Sequence, residues 1–341
     1  MTTMTVATSA GHIRAEDIEF YERELASFIP DRVFDAHVHL WHPDHFENPF
    51  GQGLEVVGYD EYKPMLDVLY HGRPVSSLFI PWPYPTPDGP CDTNNIQERT
   101  NGWIAEHTAR DPQCRGTFLV TPDDDPEWVR QEVRRLKLHG LKCYHTWSKV
   151  TPTWEADIPD YLPEPLVKVA DEEGWVIMLH IVKSRAVADP VNIHWIRHYC
   201  ETYPNMKLIL AHSARGHQPS HNLEGLPQLT GLDNLYFDIS AVCEPVAHQA
   251  IIRIIGHDKL MNGSDFLGNR GRSLGAVDSF VWLYENTPVW AEKHNMLKPV
   301  HSGLETLRAL KFACWSERVS DSAVEDMFWN NAAKLFGLAQ S

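Results

Sequence analysis

Apolar runs recur along the chain, separated by segments that carry helix signals. The runs are VFDAHVHLW (33–41), PVSSLFIPW (74–82), GTFLVTP (116–122), HGLKCYHTW (139–147), WVIMLHIV (175–182), KLILAHSA (207–214), LYFDIS (235–240) and KLMNGSDFLG (259–268). Several are continuously apolar, as strands buried on both faces of a parallel sheet are. The intervening segments have marked starts and stops. Asp125 precedes a Pro at the first helical position of PEWVRQEVRRLKL, and residues 163–173 stop at Gly174. Residues 188–203 stop before Pro204, residues 244–255 stop at Gly256, and residues 320–338 open on Ser and Asp with a Gly near the end. Eight strand candidates alternating with helices predict an α/β protein of βαβ units, and most economically a (β/α)8 TIM barrel. A doubly wound open sheet is the alternative. No G-x-G-x-x-G follows the first strand, so a dinucleotide-binding version lacks its main support.

Two segments exceed plain barrel connections. Residues 42–73 and 83–101 are rich in Pro, Gly, Asp and aromatics, and are expected to form long loops after strands 1 and 2, over the active-site face. Residues 1–30 read as a tail followed by a helix, and residues 31–341 as a single barrel domain, with no internal repeat or linker.

Composition narrows the function class. The chain has 341 residues and a net charge of −16, which argues against nucleic acid because no basic field attracts phosphates. Its six Cys form no C-x-x-C pair, so a zinc knuckle or a thioredoxin-type site is not expected, and free buried thiols in a reducing compartment are. No stretch approaches the ~20 apolar residues of a membrane span, and the N-terminus lacks a signal core. The expectation is a cytoplasmic protein that binds neither membrane nor nucleic acid. Aromatic-rich loops make a homodimer reasonable. The odd number is 19 His, more than a core requires.

Position along the strands separates these histidines. In Asp35-Ala36-His37-Val38-His39 the side chains of Asp35, His37 and His39 share one face of a strand. Two imidazoles so spaced can ligate one metal ion, although an isolated pair is as compatible with core packing. His180 ends the fifth run, His212 the sixth, and Asp265 lies in the eighth. Each alone is weak evidence. Jointly, five metal-competent or proton-transferring groups fall at the C-terminal ends of strands 1, 5, 6 and 8, which barrel closure could bring together.

The D-x-H-x-H start, the strand-end His180 and His212, and Asp265 resemble the amidohydrolase superfamily. The closing NNAAKLFGL (330–338) resembles the N-A-x-x-L-F helix of its amidohydrolase-related branch. That branch includes aminocarboxymuconate-semialdehyde decarboxylase, aromatic-acid decarboxylases, lactonases and amide hydrolases. The resemblance covers about residues 31–338. It implies that His37, His39, His180 and Asp265 ligate a metal and that Asp265 also exchanges a proton with a metal-activated water. It implies that His212 contacts that water or the substrate. Lys142 matches the neighbourhood where binuclear members carry a carboxylated Lys, a bridge usually absent from this branch, so one divalent ion is expected. Zinc suits imidazole and carboxylate ligands, and manganese suits carboxylate and water.

Other strand-end residues form a candidate substrate shell: Lys142, His145, Arg215, Trp82 and Tyr84. Cations around a pocket in an acidic protein suit a small carboxylated substrate. The first functional expectation is metal-dependent hydrolysis of an amide, lactone or related carbonyl, with Asp265 as proton shuttle and His212 assisting. The alternative is metal-dependent, non-oxidative decarboxylation of an aromatic or unsaturated acid. A catalytically inactive metal-binding barrel is a minor third.

Overall fold

The structure is a computed structural model describing residues 14–42, 45, 56–82, 96–266, 272–276, 279–283 and 300–338. Eight parallel strand positions follow the order of the apolar runs. They are β1 (Val33–Leu40), β2 (Val75–Pro81), β3 (two pieces, Arg115–Gly116 and Phe118–Leu119), β4 (Gly140–Cys143), β5 (Val176–Leu179), β6 (Lys207–Leu210), β7 (Leu235–Asp238) and β8 (Leu260–Met261). Each pairs in parallel with its sequence neighbour, from Val33 opposite Val75 through to Asp238 opposite Met261. The break in β3 is bridged by the Thr117 amide, which donates to the Phe79 carbonyl at 3.0 Å.

The ring closes between β8 and β1. Ala36 N–H donates to Asn262 O at 2.9 Å, Asp265 N–H to His37 O at 2.9 Å, and His39 N–H to Phe266 O at 2.8 Å. Val38 and Phe266 form a parallel bridge at the same place. The buried Asp35 clamps this seam: one oxygen accepts from His37 N–H (3.1 Å) and Ser264 N–H (3.0 Å), the other from Tyr70 Oη (3.1 Å). Tyr70 Oη in turn accepts from Asn262 Nδ2 at 3.0 Å. Every residue of β1 and β2 is buried, which explains why those runs show no polar alternation.

The helices follow their signals. Asp125 accepts from Trp128 N–H at 2.8 Å and opens Pro126–Leu136. Glu164–Glu173 stops at Gly174 (φ 67°), and Pro190–Thr202 and Pro245–Ile254 cover β5 to β7. The C-terminal segment runs Asp321–Glu325, Asp326–Asn330 and Asn331–Phe336, ending at Gly337 (φ 61°). It plugs the N-terminal end of the barrel. Asn331 Nδ2 donates to the carbonyls of His257 and Leu260, both at 2.8 Å, and Phe336 stacks on Phe34 with ring centroids 5.5 Å apart. The Asn and Phe of the closing motif therefore act on the ends of β8 and β1.

Of the segments expected as long loops, residues 43–44, 46–55 and 83–95 lie outside the described residues. The second part of each is helical, Tyr59–Tyr70 and Ile96–Thr108, and these helices pack along β1 to β3. A further helix, Ser302–Ser316, and an antiparallel set of β9 (Arg272–Ala276), β10 (Ser279–Leu283) and β11 (Val300–His301) follow β8. Cys114, Cys143, Cys200 and Cys314 are buried free thiols, as expected, Cys243 is buried against Ser302 and Thr306, and Cys91 lies outside the described residues. No helix among the described residues is long and apolar enough to cross a membrane.

Gly140 marks the tightest interstrand approach. A Cβ there would stand 2.2 Å from the Val176 carbonyl oxygen. Gly140→Ala is therefore expected to destabilise the barrel by about 1–3 kcal/mol through overpacking, measured by denaturant unfolding against the unsubstituted protein.

Candidate metal centre

The seam sets the geometry. His37 and His39 leave β1 on one face, and Asp265 is carried to them by its own amide bond to His37 O. Asp265 Oδ1 lies 3.1 Å from His39 Nε2 and 3.5 Å from His37 Nε2. These three groups offer ligand atoms within 4.8 Å of one another, and His37, His212 and Asp238 form a second such group sharing His37. His37 Nε2, His39 Nδ1 and His180 Nδ1 are buried without a hydrogen-bond partner. A buried imidazole nitrogen left without a proton partner is costly unless something accepts its lone pair. Two imidazoles and a carboxylate meeting at one point suit a divalent cation.

The imidazoles continue as a row. Ring centroids lie 5.1 Å apart for His37 and His39, 5.0 Å for His37 and His212, 5.1 Å for His212 and His180, and 5.9 Å for His180 and His145. His180 is thus adjacent to His212 and outside both tight groups. Burial disfavours the charged form of His37, His39, His180 and His145. Burial pushes His37 down to about 4, with Asp238 opposing and Lys142 reinforcing. Burial also lowers His39 and His180, and takes His145 and His217 to about 4. Burial alone would raise Asp265, but the His39 hydrogen bond and the surrounding imidazoles hold it at about 2. At neutral pH the centre therefore presents unprotonated imidazoles and a carboxylate.

Asp238, at the end of β7, escaped the reading of the sequence. It is wholly buried and accepts from His37 Nδ1 at 3.0 Å and from His212 N–H at 3.1 Å. Its signal was the one that marked His180 and His212: a polar residue closing an apolar strand.

The backbone beyond the strands is strained where these groups emerge. His212, Ser213, Ala214 and Arg215 have φ of 58°, 49°, 57° and 58°, one turn of left-handed helix made without glycine. Lys183 (72°), Ala241 (55°) and Asp265 (57°) follow β5, β7 and β8 in the same region. Each such residue costs about 1–2 kcal/mol. The turn is held by Asn222 Nδ2 donating to Ser213 O at 2.7 Å, and by Ser213 Oγ on His248 Nδ1 at 2.8 Å.

The candidate substrate shell divides. Lys142 is buried (1% exposed), pushed down to about 8 by burial, with its ammonium 4.8 Å from the Tyr144 ring and no carboxylate bridge among the described residues. Arg215 is half-buried, donates to Lys183 O at 3.1 Å and lies 4.9 Å over Trp154, also without a carboxylate bridge there. His145 Nδ1 bonds Thr153 Oγ1 at 3.0 Å, and its ring is 4.2 Å from Trp154. Trp82 meets the His39 ring edge-on at 4.9 Å. Tyr84 lies outside the described residues. The structure thus brings Lys142, His145, Arg215 and Trp82 to the histidine row, and adds Trp154 as an unanticipated wall.

Comparisons with known proteins give the family and the fold. The amidohydrolase family model matches residues 34–338. The chain belongs to the amidohydrolase family. No curated protein matches it by sequence. Among solved structures, an amidohydrolase from Burkholderia multivorans is 13% identical, with 90% of this chain and 99% of that one covered and a TM-score of 0.58. A protein assigned as a 2-pyrone-4,6-dicarboxylic acid hydrolase from Pseudomonas putida is 18% identical, with 91% and 98% covered and a TM-score of 0.56. A manganese-bound dihydroxybenzoic acid decarboxylase from Polaromonas is 15% identical, with 91% and 98% covered and a TM-score of 0.52. At these identities the likeness shows the shared fold. As an amidohydrolase-family member the chain is an enzyme, whose relatives in fold carry out both hydrolysis and decarboxylation.

The neutral histidines carry a stability consequence. His37, His139, His145, His217 and His248 are each lowered to about 4 by burial, so below 6.5 the unfolded chain binds protons that the fold refuses. Asp35, raised to about 6 by burial, works the other way, as do Asp124 and Glu305, but these carboxyls are outnumbered by the lowered histidines, which include His39 and His180 as well. The melting temperature of the metal-free protein is therefore expected to fall as pH drops from 6.5 towards 4, by several degrees in a pH series of thermal unfolding.

Proposed function

We propose that this amidohydrolase-family enzyme hydrolyses a small carboxylated molecule at an amide, lactone or related carbonyl, with one divalent ion at His37, His39 and Asp265. The observation that supports it most is the convergence of those three groups around the unpartnered His37 Nε2 at the closing seam. His180 is proposed as the fourth ligand, contributed across His212. Zinc is the first choice for this donor set and manganese the second. The ion, when bound, supplies Lewis acidity at the carbonyl and lowers the pKa of water.

The protein's own groups do the rest. Asp265, a carboxylate at neutral pH, accepts the proton released on attack and returns it to the leaving group. His212 stands beside His37 and faces developing charge on the substrate. Lys142 and Arg215, cations without carboxylate bridges among the described residues of an acidic chain, attract the substrate carboxylate. His145 and Trp82 wall the pocket. Decarboxylation of an aromatic or unsaturated acid uses the same centre, with Asp265 or His212 relaying a proton from water to the carbon that CO2 leaves. It is kept as the second reading because a decarboxylase shares this fold.

Incubating zinc- or manganese-loaded protein with amides, lactones and aromatic acids, each carrying a free carboxylate, separates the two. Hydrolysis predicts ring-opened or deacylated product without CO2. Asp265→Asn should lower turnover about 10²–10⁴-fold, and His37→Ala should also reduce bound metal in elemental analysis. Release of CO2 without hydrolysis product moves the assignment to the second reading. Full turnover and metal content in both variants contradicts the site.

A further inference from the structure

Asp238 accepts hydrogen bonds from two histidine-bearing segments at once. Its Oδ2 faces His37 Nδ1 at 3.0 Å, while its Oδ1 accepts from His212 N–H (3.1 Å), Ser240 N–H (2.9 Å) and the Ser240 hydroxyl. The hydroxyl proton of Ser240 is therefore committed to Asp238. Ser240 Oγ, 2.9 Å from His212 Nδ1, is left to accept, and so is the Ser240 carbonyl, 3.2 Å from the same nitrogen. His212 Nδ1 must then be the donor. On His37, Nδ1 faces only acceptors, the Asp238 carboxylate and Ser240 Oγ at 3.2 Å. Each ring, in its uncharged form, is thus driven to carry the proton on Nδ1 and to keep the Nε2 lone pair.

We propose that Asp238 is a positioning residue that sets the tautomers of His37 and His212 together, directly for one ring and through Ser240 for the other. One buried carboxylate then ties a candidate metal ligand to the neighbouring imidazole proposed to act on protons. An imidazole ligand needs a lone pair on the nitrogen facing the ion, and an outer carboxylate on the other nitrogen fixes that choice and raises ligand basicity. The same Asp238 Oδ1 bonds His212 N–H at the start of the left-handed turn, so losing the carboxylate loosens backbone and tautomer alike. Asparagine in its place can offer N–H to His37 Nδ1 and so favour the wrong tautomer. The use made of the His37 lone pair rests on the metal-centre reading above; the tautomers do not.

The test uses the full chain labelled with ¹⁵N at histidine. In the metal-free protein at neutral pH, the ring nitrogens of His37 and His212 are expected to show the Nδ1–H form. In Asp238→Asn the His37 signals should leave that form, and zinc affinity, measured by chelator competition, should fall about 10–100-fold. Circular dichroism and thermal unfolding check that the variant folds. An Nε2–H tautomer at either ring of the unsubstituted protein overturns the proposal without any variant. So does a folded Asp238→Asn with unchanged ring signals and zinc affinity within threefold. Two zinc ions per chain, one of them lost in Asp238→Asn, would make Asp238 a ligand and also overturn it. Absence of zinc binding with both rings in the Nδ1–H form supports the tautomer assignment and refutes the metal centre instead.

Discussion

Three backbone hydrogen bonds between β8 and β1 hold the two ends of the barrel together, and one of them runs from the Asp265 amide to the His37 carbonyl. Residues 228 positions apart (265 less 37) become neighbours through that contact. Asp35 reinforces it from within by accepting from both strands' backbones and from Tyr70. The candidate centre draws His37, His39 and Asp265 from this seam. It is assembled by closure of the sheet, on backbone whose positions are fixed by the ladder on either side. Groups set on strands in this way are held more precisely than groups on loops, as catalytic geometry requires.

The C-terminal rim bears the cost of that arrangement. Left-handed backbone at His212 to Arg215 is stabilised by Asn222, Ser213 with His248, and the Asp238 carboxylate, and that at Asp265 by its amide bond to His37 O. Lys142 sits within the barrel as an ammonium without a salt bridge among the described residues, lowered to about 8 by burial. Such local departures from favourable geometry and solvation are characteristic of functional sites. The opposite end is quieter. There Asn331 satisfies strand-end carbonyls and Phe336 packs on Phe34, so the closing motif contributes stability.

Much of this was legible in the chain. The eight strands stand out because burial on both faces makes their runs continuously apolar, and the residues that end them, His180, His212 and Asp265, interrupt those runs with chemistry. Asp238 ends LYFD in the same manner but was not singled out. One carboxylate after a strand has many ordinary uses, and its partner His37 lies 201 residues away. The helices Tyr59–Tyr70 and Ile96–Thr108 were hidden by aromatic and charged residues that mask helical periodicity, and Ser302–Ser316 by being buried on most of its surface. The His count was a poor guide. His248 is buried and His139 half-buried without belonging to the row, whereas position at a strand end identified the members that meet. The acidic net charge likewise says nothing of the local balance near the histidine row, where Lys142 and Arg215 lie.

The central claim is that barrel closure builds a one-ion site from β1 and β8. Crystals of metal-replete protein, with anomalous diffraction collected at the zinc or manganese edge, test it most directly. The account predicts one anomalous peak per chain within coordinating distance, about 2.0–2.2 Å for zinc, of His37 Nε2, a nitrogen of His39 and an Asp265 oxygen. A peak elsewhere, or none in protein shown to be loaded, would contradict it.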